Sequence, residues 1–159
     1  MNTLRNRLKD QRGFNLIELM IVIAIIGLLI GVGSFAWSSM IKSGNETTAA
    51  QTLDKIRTFQ AQYAAKNRGK FANFDELIKT VGLDEKYKGE RPVSNGYTFT
   101  MTVEEPSATK PAFYKINADP QVPGSGVTAT GTRYFYTDSQ ISTIKASEEG
   151  PATDQSPSI

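Results

Sequence analysis

The sequence of 159 residues contains no cysteine and no histidine. Without cysteine, neither a disulfide framework nor a thiolate metal site can form within it. Without histidine, the commonest general base and the commonest metal ligand are both missing. No nucleophile motif replaces them, so an enzyme is the least favoured class and no catalytic residue is assigned. Proline is absent before Pro92, so nothing in the long stretch ahead of it forces a helix to break. Charge is absent from Leu19 to Ile41, a run of 23 residues.

What is present is unevenly distributed. Composition is ordinary for a globular chain, 39% apolar and 21% charged. Four of the 18 basic residues, Arg5, Arg7, Lys9 and Arg12, fall in the first thirteen positions beside one acid, Asp10, giving that segment a charge of about +3. The remainder is slightly acidic. The overall positive balance therefore belongs to the amino-terminal segment, and no nucleic-acid surface is expected. At about 1.5 Å per residue the charge-free run spans roughly 35 Å as a helix, enough for a hydrocarbon core of about 30 Å. With every early basic residue ahead of it, the positive-inside bias places residues 1–13 in the cytoplasm and everything after Lys42 outside. A secretory signal peptide cut near Gly31-Val32-Gly33 or Ser34 is the alternative, disfavoured by an apolar run longer than such signals need.

The helical pattern continues past the apolar run. Ala49, Leu53, Ile56, Phe59 or Gln60, and Tyr63 recur at three- and four-residue steps, with Asp54, Lys55, Arg57 and Gln62 mostly between them. This predicts one continuous helix from about Phe14 to Ala65, about 78 Å long. Its first half is apolar all round, and its second half has one apolar stripe that packs on a globular partner. Asn67-Arg68-Gly69 supplies the stop, with a glycine suited to a left-handed cap.

One carboxylate, Glu18, sits at the mouth of the apolar run. Burying it unpaired in hydrocarbon is costly, so it either snorkels to the headgroups from the first helical turn or meets a cation from outside the segment. The stretch RGFNLIELMIVIAIIGLL resembles the amino-terminal segment of type IV prepilins and of type II secretion pseudopilins: basic leader, Gly13, Phe14, then Glu18 four residues on. The resemblance is strong over residues 9–30, weaker to Ala65 and general beyond. It implies that a prepilin peptidase cuts between Gly13 and Phe14 and that the Phe14 amine is methylated. It also implies that Glu18 guides assembly by meeting the Phe14 amine of a neighbouring subunit. Many pilins carry a proline where this chain has Phe35. Gly27, Gly31 and Gly33 lie nearby instead; the GxxxG spacing of Gly27 and Gly31 suits close helix packing, and the three together suit local flexibility.

The expected fold is α+β: a long amino-terminal helix packed on a small antiparallel β-sheet head. ANFDELIKTVGL reads as a short helix with Asn73 as N-cap, Glu76 three residues on, and Gly82 as the stop. Residues 84–95 read as a loop. GYTFTMTVE alternates strictly and is the clearest strand, followed by strands at about Ala112–Ala118, Arg133–Thr137 and Ile141–Lys145. Short connections favour a meander. The organisation is thus a cleaved cytoplasmic leader (1–13), a transmembrane and assembly helix (14–41), its amphipathic continuation (42–66), a head (67–146) and a polar, mobile tail (147–159).

No cofactor or metal is expected. Glu104-Glu105 and Glu148-Glu149, with Asp119, Asp138 and Asp154 in loops, lack any calcium-loop spacing and read as solvated acids. Tyr134, Phe135 and Tyr136 read as packing residues. The triplet Asn45-Glu46-Thr47 fits a glycosylation sequon but lies within the helix and is discounted. The expected function is a structural pilin subunit polymerised into a type IV pilus; a secretion pseudopilin is the first alternative and a signal-anchored periplasmic binding domain the second. Expected partners are the prepilin peptidase, copies of itself and other pilins, the bacterial inner membrane and the pilus assembly machinery. The chain is expected as a single-pass inner-membrane precursor with its head in the periplasm, then in an extracellular pilus or periplasmic pseudopilus.

Overall fold

A computed structural model describes residues 14–159. The expected leader, with Gly13, lies outside the described residues. The chain divides into two compact units between Ala36 and Trp37, and the long helix α1 (Leu16–Lys66) contributes to both.

Residues 14–36 show what composition dictates. Every one of them is exposed within the single chain, including Ile17, Met20, Ile23, Leu28 and Ile30. A helix exposed and apolar on all sides suits a lipid or oligomeric surrounding, and its length and hydropathy suffice to cross a bilayer. Glycine does not interrupt it: helical hydrogen bonding runs through Gly27, Gly31 and Gly33.

The second unit is built on the stripe of α1. Ser38, Lys42, Glu46, Ala49, Leu53, Ile56, Gln60 and Tyr63 are its buried residues at steps of four and three, joined by Thr52. From Ala49 onward this is the expected stripe, with Gln60 rather than Phe59 fully buried. Gln60 explains itself: its amide donates to the Ala72 carbonyl at 2.6 Å and accepts from the Ala72 amide at 3.0 Å, so the buried polar group is satisfied while tying the following turn to the helix. Gly69, at φ 80, ends α1, and its amide returns to the Ala64 carbonyl.

Helix α2 (Phe74–Val81) forms as its sequence requires. Asn73 accepts from the Glu76 amide and Gly82 closes the helix in the left-handed conformation. Phe74 and Leu77 enter the core.

The sheet is a five-stranded antiparallel meander in the order β1 (Val93–Ser94), β2 (Tyr97–Glu104), β3 (Phe113–Pro120), β4 (Tyr134–Asp138) and β5 (Lys145–Ser147). Alternation in β2 sends Tyr97 and Phe99 into the core with Ile116 and Ala118 of β3 and Phe135 of β4. These close on Leu53, Ile56, Leu77 and Tyr87 in one hydrophobic cluster. The α+β fold, a long helix on a small antiparallel sheet, is the one expected.

Three expectations change. Residues 84–95 are more than a loop: Glu85–Tyr87 make a 3-10 turn that buries Tyr87, and Val93–Ser94 form an edge strand. Asn95 and Gly96, both at positive φ, supply the two-residue turn that such a hairpin needs. The last strand lies at Lys145–Ser147 rather than 141–145, because Asp138 accepts from the amides of Gln140 and Ile141 and holds the chain in a turn there. The tail is docked rather than free. Ala146 donates to Pro157 and Ile159 to Ile144, Asn117 donates to the Ala152 carbonyl at 2.9 Å, and Ala152 is buried. Its polar composition hid how many backbone partners it finds.

Candidate functional site: the assembly segment and its polar continuation

The start of α1 carries the predicted site residues. Phe14 precedes the helix and is 83% exposed. Asn15 caps it: the side-chain oxygen accepts from the Ile17 amide at 3.3 Å, and the Asn15 carbonyl accepts from Glu18 and Leu19. Asn15 followed three residues later by Glu18 is also a capping-box spacing, a local sequence signal for the start of α1.

Glu18 lies in the first turn, where the amino-terminal end of the helix dipole favours an acid. It is exposed, and its side chain has no hydrogen-bond or ion-pair partner among the described residues. Around it are Leu16, Ile17, Leu19, Met20 and Ile21, all exposed. Farther along, a Cβ placed on Gly27, Gly31 or Gly33 would meet nothing within 4 Å. Among the described residues, no side chain packs closely enough on these positions to require glycine. The Ser34 hydroxyl donates to the carbonyls of Ile30 at 2.8 Å and Gly31 at 3.0 Å, satisfying its polarity within the helix.

Comparison with known proteins meets this geometry at the same residues. Residues 8–34 match the model of the prokaryotic N-terminal methylation motif. The chain is type IV pilin-like. A type IV major alpha-pilin from Moraxella bovis is 37% identical over 89 residues, covering 54% of this chain and 55% of that protein. The chain thus spans about half the length of the curated relative it matches. No solved structure matches.

In this pilin-like chain the α1 stripe continues below Ala49 in polar residues, which apolar periodicity does not register. The Lys42 ammonium donates to the Ser125 carbonyl at 2.8 Å and to Gly126 at 3.5 Å. Asn45 donates to the Thr130 carbonyl at 2.9 Å. Glu46 accepts from the Thr132 amide at 2.8 Å, the Thr132 hydroxyl at 2.7 Å and Arg133 Nε at 2.8 Å. Burial alone would raise the Glu46 pKa, but the Thr132 and Arg133 hydrogen bonds and the Arg133 charge outweigh it and hold the carboxyl below its ordinary value. Together the three side chains clasp residues 125–133 onto the helix. The discounted triplet Asn45-Glu46-Thr47 therefore has a structural use.

The clasp explains two glycines. A Cβ on Gly131 would stand 2.1 Å from the Tyr97 hydroxyl, which donates to the Arg133 carbonyl at 2.7 Å. A Cβ on Gly96 would meet Thr130 Cβ at 2.7 Å. Both close approaches need glycine.

The acids of the head divide. Glu104, Glu105, Glu148, Glu149 and Asp154 are exposed as expected. Asp138 is not a solvated loop acid: it ends β4, is 4% exposed, and accepts from the Tyr136 hydroxyl at 2.8 Å besides the two turn amides. Burial, reinforced by Asp138, raises the Tyr136 pKa. Asp119 lies in β3, where burial raises its pKa against the attraction of Arg91. No group of three or more metal-binding side chains assembles among the described residues. Phe135 is fully buried and Tyr136 nearly so, in keeping with packing. An open groove of about 480 Å³ is lined by Glu46, Asp54, Arg57, Arg133 and Ile144 among others. Its charged groups pair locally, Arg57 with Asp54 and Arg133 with Glu46.

Proposed function

We propose that this chain is a prepilin subunit, cut between Gly13 and Phe14 by a prepilin peptidase, methylated on the Phe14 amine and polymerised into a type IV pilus. The observation that carries this reading is the coincidence of the methylation motif with a helix half that is apolar and exposed on every side. Such a surface is stable only in lipid or against other copies of itself. In the precursor the segment spans the inner membrane with the leader cytoplasmic and the head periplasmic. In the filament the same segment packs among its neighbours, and Gly27 and Gly31 let helices approach.

Glu18 acts in the second state. The methylated Phe14 amine of a neighbouring subunit supplies the cation, and a displaced subunit leaves the carboxylate unpaired at a cost of about several kcal/mol. Register is thereby selected. The relative named as a major pilin favours the pilus over a secretion pseudopilus. The test is the intact mass and amino-terminal residue of the chain purified from cell envelopes and from sheared surface filaments. A chain beginning at methylated Phe14 in both is the expected result; a start at Met1 or near Ser34 would overturn it, and processed chain in envelopes without surface filaments would move it to a pseudopilus.

A further inference from the structure

A lysine just past the end of a membrane span ordinarily turns its ammonium to the lipid headgroups. Lys42 does not: it is only 9% exposed, capped by the carbonyls of Ser125 and Gly126. Four residues earlier, inside the charge-free run, Ser38 is 6% exposed, whereas Trp37, Met40 and Ile41 beside it remain open. The head therefore covers one side of α1 below the point where the first charge appears. The run of 23 residues exceeds a hydrocarbon core of about 30 Å by roughly 5 Å as a helix, which puts its last turn at the headgroup level. Residues 120–132 carry no charged side chain, and Arg133, which follows them, is paired with Glu46; Val122 and Val127 are 45% and 55% exposed.

We propose that the Val122–Val127 loop, with Trp37, Met40 and Ile41 of α1, is a second and shallow membrane contact that seats the head on the bilayer before the subunit leaves it. This rests on the reading of α1 as a membrane anchor. The occupant is the lipid surface because the loop is bound to α1 at Lys42, directly after the charge-free run, residues 120–132 are uncharged, and the last turns of that run carry a tryptophan, the residue typical of membrane interfaces. The loop is held in place for the task. Lys42 and Asn45 bind its carbonyls, the Thr130 amide donates to the Val122 carbonyl, and the Gly124 amide donates to Gly131.

The cysteine-free chain allows one label at a time. Full-length V127C, S107C and A24C, each carrying an environment-sensitive fluorophore, are reconstituted into phospholipid vesicles containing shallow or deep spin-labelled lipid quenchers. Ser107 is the distant control: it follows Glu105, which pairs with Lys70 beyond the carboxy-terminal end of α1. The expected result is blue-shifted emission at Val127 with shallow quenching several-fold above that at Ser107, and deep quenching at Ala24. Equal quenching at Val127 and Ser107 with Ala24 still deeply quenched overturns this inference alone. Loss of deep quenching at Ala24 overturns the membrane anchor with it. V127C replaces a half-exposed side chain, and unchanged thermal melting of the labelled head checks that it folds.

Discussion

Two glutamates on one helix define the contrast between the halves of α1. Glu18 stands exposed among exposed apolar side chains, with no partner among the described residues; Glu46 is buried and bound by Thr132 and Arg133. In the second half a buried carboxylate is answered by the chain's own head, so it contributes to folding. In the first half no described residue pairs with the carboxylate, and on the proposed reading a neighbouring subunit supplies its counter-charge. On that reading the same residue type serves stability or assembly according to whether its counter-charge is within the molecule.

The contrast breaks most completely at Glu18. Glu18→Leu is expected to reduce incorporation into filaments by about tenfold or more, since an unpaired neighbouring amine is left in the packed core. The thermal stability of the head should remain unchanged; filament yield and head melting measured on the same variant separate the two. An equal loss in both would show that Glu18 serves folding instead.

Leu53→Ala should do the opposite. Leu53 is fully buried in the core, and its truncation is expected to cost about 3 kcal/mol of head stability. Denaturant unfolding of the soluble head reads this, while peptidase cleavage at Gly13 should proceed normally.

Glu46→Ala comes next, at about 2 kcal/mol, by removing charge-assisted hydrogen bonds and leaving Arg133 without its partner. Because the folded-state pKa of Glu46 is lowered, its contribution is present above the pKa of the unfolded chain and is lost as pH falls through the folded value. Melting of wild type and Glu46→Gln across acidic pH should therefore converge as pH decreases. A gap independent of pH would assign the effect to packing.

The smallest effect on the isolated chain belongs to Gly27→Ala. Open space surrounds the site, so helix propensity alone applies, a gain of about 1 kcal/mol or less. If Gly27 and Gly31 serve close packing between subunits, the double alanine variant lowers filament yield without lowering helicity in detergent; circular dichroism and shearing yields distinguish the cases.

Legibility followed the range of the interaction. The caps at Asn73, Gly82 and Gly69, the alternation of β2 and the stripe from Ala49 to Tyr63 are local patterns, and each is found where the residues place it. Asn15 as cap of α1 was equally local and was overlooked because the apolar run drew the reading. The clasp was not legible. Lys42, Asn45 and Glu46 appear as ordinary polar residues of a helix leaving a membrane, and their partners lie 83 to 87 residues away. Asp138 likewise reads as a solvated loop acid, whereas it ends β4 buried, bound by the Tyr136 hydroxyl and the amides of Gln140 and Ile141.

The sequence by itself determined the charge-free span, the motif around Gly13, Phe14 and Glu18, and the α+β class, because hydrophobic periodicity and capping act between residues within a few positions of each other. Only the tertiary structure decided which polar groups are buried, where the last strand begins, and that the final residues dock. Each of those outcomes depends on whether a distant backbone or side-chain group arrives to satisfy a hydrogen bond, and one-dimensional spacing carries no record of that arrival.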